Sequence, residues 1–512
     1  MCPHFSKNTR MCKLCTEDHW DKLNLLHDMA TFMCSDPDEY PECAMPEVYG
    51  YDEEDEDEYE DEYENDMNDF VIRAGRLVRY KGASVDVVIP NAVIEVDEDA
   101  FEDCKNRIKS IVLPEGMGLI EEDAFNGFDN LTKINIPNGV TNIGDRAFKD
   151  CKSLTSIIIP NSVEMIQLKA FMGCISLRDI TLPDNVYLCG AVFEDCTELA
   201  NIIIPNNVEI FGYGVFKGCS SLTSIVIPNT TTYIGVSTFE GCTSLKSITL
   251  PDTITSIYSR AFKNCISLTS ITIPNSVTKI ESGAFENCIG LNNITIPNSV
   301  TEIESGAFEN CTELTSIIIP NSVTKINEST FEGCGSLTSI NIPNSVTRID
   351  EGAFKGCSRL TGVDIPNSVT WIGKYAFQDC IGLTSVAIPG SVSEILHNTF
   401  EGCNNLNSTT INDGVQQIHD NAFRNCNSLK SVIIPNSVWT IYDDVFRDCK
   451  SLDSVILSDN LSNIGRRAFM DCANLSNINV PKNLKTLGED VFANTKVIAK
   501  KKLFGGWTFN QK

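Results

Sequence analysis

The residues with the most obvious capacity for chemistry stand at the start of the chain. Cys2, His4, Cys12, Cys15 and His19 fall within 18 residues, and thiolates and imidazoles are the side chains that hold zinc tetrahedrally. The Cys12-Lys13-Leu14-Cys15 knuckle would bring two thiolates to one ion, His19 could supply a third ligand, and Cys2 or His4 the fourth. The competing reading is a tail of free thiols, because a single Cys-x-x-Cys pair is common by chance. The remaining reactive groups are sparse. The five histidines are His4, His19, His27, His397 and His419, and the last two read as isolated turn residues in adjacent repeats. No nucleophile, base and acid set, phosphate-binding loop or carboxylate pair rises above the repeat background, so the expectation is a protein that is not an enzyme.

The elements around these ligands are short. After Thr16, which has the chemistry of an N-cap, Trp20, Leu23, Leu26, Ala30 and Met33 recur at helical spacing, and Asp36-Pro37 would end the helix. From Asp52 to Asp66 twelve of fifteen residues are carboxylates. Like charges repel there and nothing apolar is available to bury, so the stretch reads as a disordered acidic linker that either attracts a basic partner surface or keeps the two ends soluble and apart. Of the formal net charge of −29, residues 1–69 carry −18 (4 Lys and Arg against 22 Asp and Glu) and the rest −11. A mildly acidic body argues against a nucleic-acid partner, which would need a basic face. The first residues show no apolar core of secretory-signal length, and no later stretch is apolar enough for a membrane span. The protein is therefore expected in the cytoplasm or another intracellular setting.

Everything from Phe70 onward is organised by one repeated unit. Leu268 to Asn287, LTSITIPNSVTKIESGAFEN, is closed by Cys288, and near copies recur about every 23 residues up to Phe492. Leu268, Ile271 and Ile273 point one way between Ser270 and Thr272, so the segment is a short strand with an apolar inner face. Pro274 ends it for want of a donor, Pro-Asn starts a turn, and Gly283-Ala284-Phe285 predicts a tight helical or 3₁₀ segment behind the strand. Counting Phe101 to Phe492 gives eighteen units. Stacked at the ~4.8 Å spacing of paired strands they would form a rod about 80 Å long in which each coil buries its neighbour's apolar face. Sixteen of the 22 cysteines, Cys104 to Cys472, share one repeat position. Equivalent atoms ~4.8 Å apart with parallel side chains do not match the facing Cβ atoms about 3.8 Å apart that a disulfide needs, so these thiols read as reduced, buried fillers.

The unit LTSITIPNSVTKIESGAFENC resembles the 23-residue BspA-like (Treponema pallidum-type) leucine-rich repeat, with the pattern L-x-x-I-x-I-P-x-x-V-x-x-I-x-x-x-A-F-x-x-C. The resemblance covers residues 70 to about 495 and implies a repeat solenoid: a leucine-rich-repeat arc with a parallel β-sheet on one face and short helical or 3₁₀ segments and turns on the other. Four regions follow: a leader at 1–45, an acidic linker at 46–69, the solenoid with its N-terminal β-hairpin cap at 70–495, and a C-terminal cap or tail at 496–512. The family's members are non-enzymatic binding proteins, many of them surface adhesins that attach to host matrix proteins, and related repeats occur in large DNA viruses. This implies either an intracellular or virion-associated protein-interaction scaffold or an adhesin reaching the cell surface by an unrecognised route. The outward strand positions Ile158, Ile203, Val226, Thr249, Thr272, Thr295, Ile318, Asn341, Ile433 and Ile456 form a nearly uncharged face suited to a protein partner, although β-branched residues also favour strands whatever their use. Phe128 in a cysteine slot, Asn412 and Ser458 in proline slots, Thr409 at an inward site and the short unit around Cys189 are expected to be sites of local strain.

Overall fold

The computed structural model describes residues 64–67, 69–210, 212–501 and 506–511. From Asp86 on, the chain winds through similar coils, each opening on a short strand such as Ser270–Thr272, with its middle residue buried and its flanks exposed. Successive strands pair in parallel and in register, Ser270 with Asn293, Ile271 with Ile294 and Thr272 with Thr295. Pleating sends alternate side chains to opposite faces, so isoleucine goes in and serine and threonine go out. The carbonyl of Pro274 accepts the N–H of Val277 at 3.1 Å and turns the chain. A second strand of two residues follows, Lys279–Ile280, which pairs in parallel with Glu302–Ile303. The solenoid thus has two parallel ladders, a front one and a side one. Two residues are too few to display an alternation, which is why the sequence points only to the first.

The expected helical or 3₁₀ segments are nearly absent. Among the described residues, Lys105–Arg107 is the one 3₁₀ stretch, and elsewhere the back of the coil is made of turns. The reason lies in how the backbone donors alternate. The N–H groups of Ala284, Glu286 and Cys288 reach back within the coil to the carbonyls of Glu281, Gly283 and Phe285, whereas those of Gly283, Phe285 and Asn287 reach the carbonyls of Ser305, Ala307 and Glu309 in the next coil at 2.8–2.9 Å. A helix needs all donors to run along one axis. Left-handed residues enforce the alternation, here Gly283 (φ 62°) and Asn287 (φ 58°). The residue before each ladder cysteine from Cys151 to Cys472 is Gly, Asn or Asp with positive φ, the three types that adopt this conformation at least cost.

The core is a set of like-on-like columns. From Phe125 to Phe492 the rings stack with centroids 5.2–5.8 Å apart and planes within 14° of parallel, the offset arrangement that suits aromatic quadrupoles. Each thiol from Cys151 to Cys472 donates to the carbonyl of the phenylalanine one coil back; Cys288 Sγ lies 3.0 Å from Phe262 O and Cys426 Sγ 3.3 Å from Phe400 O. That carbonyl already accepts the cysteine N–H of its own coil, as Phe262 O does from Cys265 at 3.1 Å. The slot therefore calls for a small, mostly apolar side chain that still donates. All 17 described cysteines are free, and burial pushes ladder thiols such as Cys242, Cys288 and Cys334 up, Cys334 to about 12.

Most of the departures from the repeat are not strained. Phe128 fills its cysteine slot edge-on to Phe101 and Phe125, 5.6 Å from each. Asn412 has the N–H that proline lacks and donates it to Ile388 O at 3.1 Å, which lengthens the strand pair to Ser385–Ile388 and Ser408–Ile411. Ser458 is buried and its hydroxyl accepts the N–H of Asn460 at 3.1 Å. Thr409 is the exception: its hydroxyl is buried without a partner, a cost of about 1–3 kcal/mol.

At the N-terminal end Phe70–Arg73 and Arg76–Tyr80 form an antiparallel hairpin that joins the side ladder at Glu95–Val96. Glu64–Met67, inside the stretch read as linker, is a strand paired with Phe70–Arg73, so regular structure begins earlier than charge alone indicates. At the other end Val497–Lys501 pairs with Trp507–Gln511, and Phe509 meets Phe492 edge-on at 5.0 Å.

Two outcomes follow from this packing. Phe285→Ala empties a slot between two rings and should cost about 3–5 kcal/mol, read as a lowered urea midpoint. Iodoacetamide should leave the ladder thiols of the native chain unmodified over the time in which it labels all of them in urea, because only the thiolate reacts and burial suppresses it; mass spectrometry showing native labelling at Cys265 to Cys403 would contradict the buried ladder.

Candidate functional site

Cys2, His4, Cys12, Cys15 and His19, together with the helix read after Thr16, lie outside the described residues. Among the described residues no group of three or more His, Cys, Asp or Glu could hold a metal ion, and no helix is long and apolar enough to cross a membrane.

The front ladder displays the residues singled out for docking. Ile158, Ile203, Val226, Ile318, Ile433 and Ile456 are between 56% and 84% exposed, Ile203 most of all, and Thr249, Thr272, Thr295 and Asn341 occupy the same outward position. Each strand's other outward position is Ser224, Ser247, Ser270, Asn293, Ser316 or Ser339 over the middle of the array, so that no charge stands there from Ser224 to Asn341. Asp179 and Asp364 mark the borders of this stretch. Asn135 and Asn479 turn back onto the sheet: the Asn135 side chain bonds Leu113 N at 2.9 Å, and Asn479 Nδ2 bonds Leu457 O at 2.9 Å.

The side ladder is chemically the opposite. Lys279 Nζ lies 2.7 Å from Glu304 and 3.5 Å from Glu281, and Glu304 in turn accepts from the Ser282 hydroxyl at 3.0 Å. These carboxylates, which recur with the repeat, tie one coil to the next. Further along, Lys325 and Arg348 both pair with Asp350 and the Arg348 guanidinium lies 5.0 Å over the Trp371 ring. A cleft of about 320 Å³ beside them is lined by Gly373 and His397 as well.

His397 and His419 are not isolated. Their ring centroids are 5.0 Å apart, and His419 stacks on Tyr442 at 4.7 Å. His419 Nε2 is 3.0 Å from Glu394 Oε2 and His397 Nδ1 is 3.4 Å from Asp420 Oδ2. Burial lowers the His397 pKa, against the pull of Asp420. The Tyr442 hydroxyl donates to Gln417 at 2.8 Å and Gln417 donates to Glu394 at 3.2 Å, which closes the network on itself. His419 and Tyr442 share one repeat position, directly after Ile418 and Ile441, whereas His397 stands one place further along its own coil, after Leu396, and the three meet when the coils stack.

Comparison with known proteins agrees with this architecture. The family model described as the BspA type leucine rich repeat region matches residues 80–191, 166–292, 278–407 and 393–503. No curated protein matches the chain. Among solved structures, a leucine-rich repeat protein from Bacteroides ovatus is 29% identical, with 74% of this chain and 91% of that one covered at a TM-score of 0.49. A leucine rich cell surface protein from Faecalibacterium prausnitzii is 25% identical over 80% of this chain and 90% of that one, TM-score 0.36. The T. pallidum leucine rich repeat protein is 26% identical over 42% of this chain and 82% of that one, TM-score 0.28. With matches that run from residue 80 to residue 503, over a stack of parallel coils with the repeat phenylalanines and the sixteen ladder cysteines turned inward, the chain belongs to the BspA type leucine rich repeat family.

Proposed function

We propose that the chain is a non-enzymatic scaffold that docks a protein partner on its front sheet, centred on Ile158, Ile203 and Val226. The observation that carries this reading is the exposure of these β-branched side chains, 72–84%, on a face whose outward strand positions from Ser156 to Asn341 carry one charge, Asp179, although the whole chain has a net charge of −29. Desolvating such a face costs little, and packing aliphatic side chains against a partner recovers apolar burial. Its neutrality also removes the repulsion that the rest of the surface imposes on acidic partners.

A reducing compartment, intracellular or virion-associated, suits this reading. The ladder thiols are engaged as donors to backbone carbonyls, and oxidising them before folding would remove those contacts and impose geometry the stack does not have. The adhesin alternative requires the same thiols to stay reduced outside the cell. The leader adds a separate proposal, a zinc ion on Cys12, Cys15, His19 and one of Cys2 or His4.

Ile158→Lys, Ile203→Lys and Val226→Lys combined should leave thermal stability and circular dichroism unchanged, because all three point outward, and should weaken capture of a cross-linked protein partner at least about tenfold; retention of the same partners would sink the docking reading. For the leader, metal analysis of the purified full-length chain should return about one zinc per molecule, lost on Cys12→Ser with Cys15→Ser. A metal-free wild-type chain ends that proposal.

A further inference from the structure

An asparagine followed by glycine can react with itself. The glycine's backbone nitrogen is placed to attack the asparagine Cγ, an intramolecular step with a high effective concentration, and no Cβ on the glycine obstructs the approach. The chain holds two such pairs, Asn126-Gly127 and Asn138-Gly139, and one related Asp-Gly pair, Asp413-Gly414. The fold treats the three differently.

Two of them are tied down. Gly127 donates its N–H to Lys149 O in the next coil at 2.8 Å and Asn126 Nδ2 donates to Asp123 Oδ1 at 2.8 Å, so the attacking nitrogen and the amide it would attack are both engaged. Gly414 donates its N–H to the Ser437 hydroxyl at 2.9 Å, and Asp413 Oδ1 accepts the Ser437 N–H at 3.3 Å. At Asn138-Gly139 neither the glycine N–H nor the asparagine amide has a hydrogen-bond partner among the described residues, and both residues are exposed. The turn is also less braced than its counterparts. Where Gly139 stands, other coils have a serine, and the hydroxyls of Ser162, Ser345, Ser368 and Ser391 donate to the carbonyl of a valine one coil back at 2.6–2.7 Å. Gly139 has no hydroxyl for this tie, and its turn is closed by the bond from Val140 N to Pro137 O at 3.2 Å. Bringing the Asn138 amide over the next nitrogen requires the turn to move, which the serine bond would resist.

We propose that Asn138 is a site of spontaneous covalent modification, converted to isoaspartate and aspartate in the folded chain while Asn126 is protected. Gly139 N loses its proton and forms a bond to Asn138 Cγ, the Cγ–Nδ2 bond breaks, and ammonia leaves. Water then opens the five-membered imide at either carbonyl. Opening at the Asn138 main-chain carbonyl gives isoaspartate, in which the main chain runs through Cγ; opening at Cγ gives aspartate. The sum is one water taken up and one ammonia released, with no oxidant or reductant. Either product adds a carboxylate to the turn between the front strand Lys133–Ile134 and the side strand Asn142–Ile143, and isoaspartate also lengthens the main chain there by one atom. The change makes an acidic chain more acidic, and it does not depend on the docking reading.

The test is to incubate the full-length chain at neutral pH, native and in urea, and to follow both Asn-Gly pairs by peptide mapping with mass spectrometry that separates isoaspartate from aspartate. In the native chain Asn138 should convert at least about tenfold faster than Asn126, since two hydrogen bonds worth on the order of 1 kcal/mol each must open before Asn126 can react. In urea the two rates should converge. Asn138→Gln, an exposed change whose longer side chain closes the ring poorly, should remove the product from its own peptide and leave Asn126 as it was. Asn126 keeping pace with Asn138 in the native chain, Asn138 staying intact there while it converts in urea, or a difference that survives in urea would each overturn the proposal.

Discussion

Each coil must lie against a near copy of itself, one strand spacing away, and this requirement selects the residues of the repeat. A side chain that points along the stack meets its own kind, so it has to be self-complementary. Phenylalanine is, by offset stacking. Asparagine is, because an amide both donates and accepts: Asn310 donates to Asn287 and Asn287 to Asn264, each at 3.0 Å. Threonine hydroxyls manage it by addressing backbone, as Thr301 and Thr278 do with the carbonyls one coil back at 3.3 and 3.4 Å. A charged residue is not self-complementary, and where charges occupy the side ladder they are answered from another column, Lys279 by Glu304 and Lys325 by Asp350. The cysteine slot obeys the same rule by offering its proton to a carbonyl and not to the next thiol.

This rule explains what could be read from the chain alone. Strand, turn proline, inward phenylalanine and buried cysteine are all properties of one unit, so Leu268 to Cys288 was enough to place them. The side ladder was not legible because Lys279–Ile280 is too short to carry a period. The turn structure was misread as helical because Gly283-Ala284-Phe285 looks like a helical turn locally, and only the next coil diverts alternate donors out of it. A signal was nonetheless present: Gly, Asn or Asp before each cysteine from Cys151 on has no reason in a helix and a clear one at positive φ. The front face was legible residue by residue, since outward positions follow from alternation. The histidine cluster was legible only in part: His419 and Tyr442 stand 23 residues apart at one repeat position, but His397 is one place off that column.

The two ladders differ in chemistry as well as in position. On the front, serine, threonine and isoleucine leave the middle coils free of charge and rely on backbone pairing for their cohesion. On the side, ion pairs and the Arg348–Trp371 contact lie across the coil boundaries, so the side chains contribute to joining the coils. Exposed apolar area is thus concentrated on the front ladder, at Ile158, Ile203, Val226, Ile318, Ile433 and Ile456.

Because alternate backbone donors in each turn leave their own coil for the following one, a unit inserted whole finds every partner already waiting, and a unit lost whole leaves its neighbours able to join. Unequal crossing-over within the gene could therefore lengthen or shorten this molecule by multiples of one repeat with no redesign of its contacts. A change of one codon is a different matter, because a ladder that gains one residue turns every later side chain to the other face: in this architecture the favoured unit of variation is the coil and not the residue.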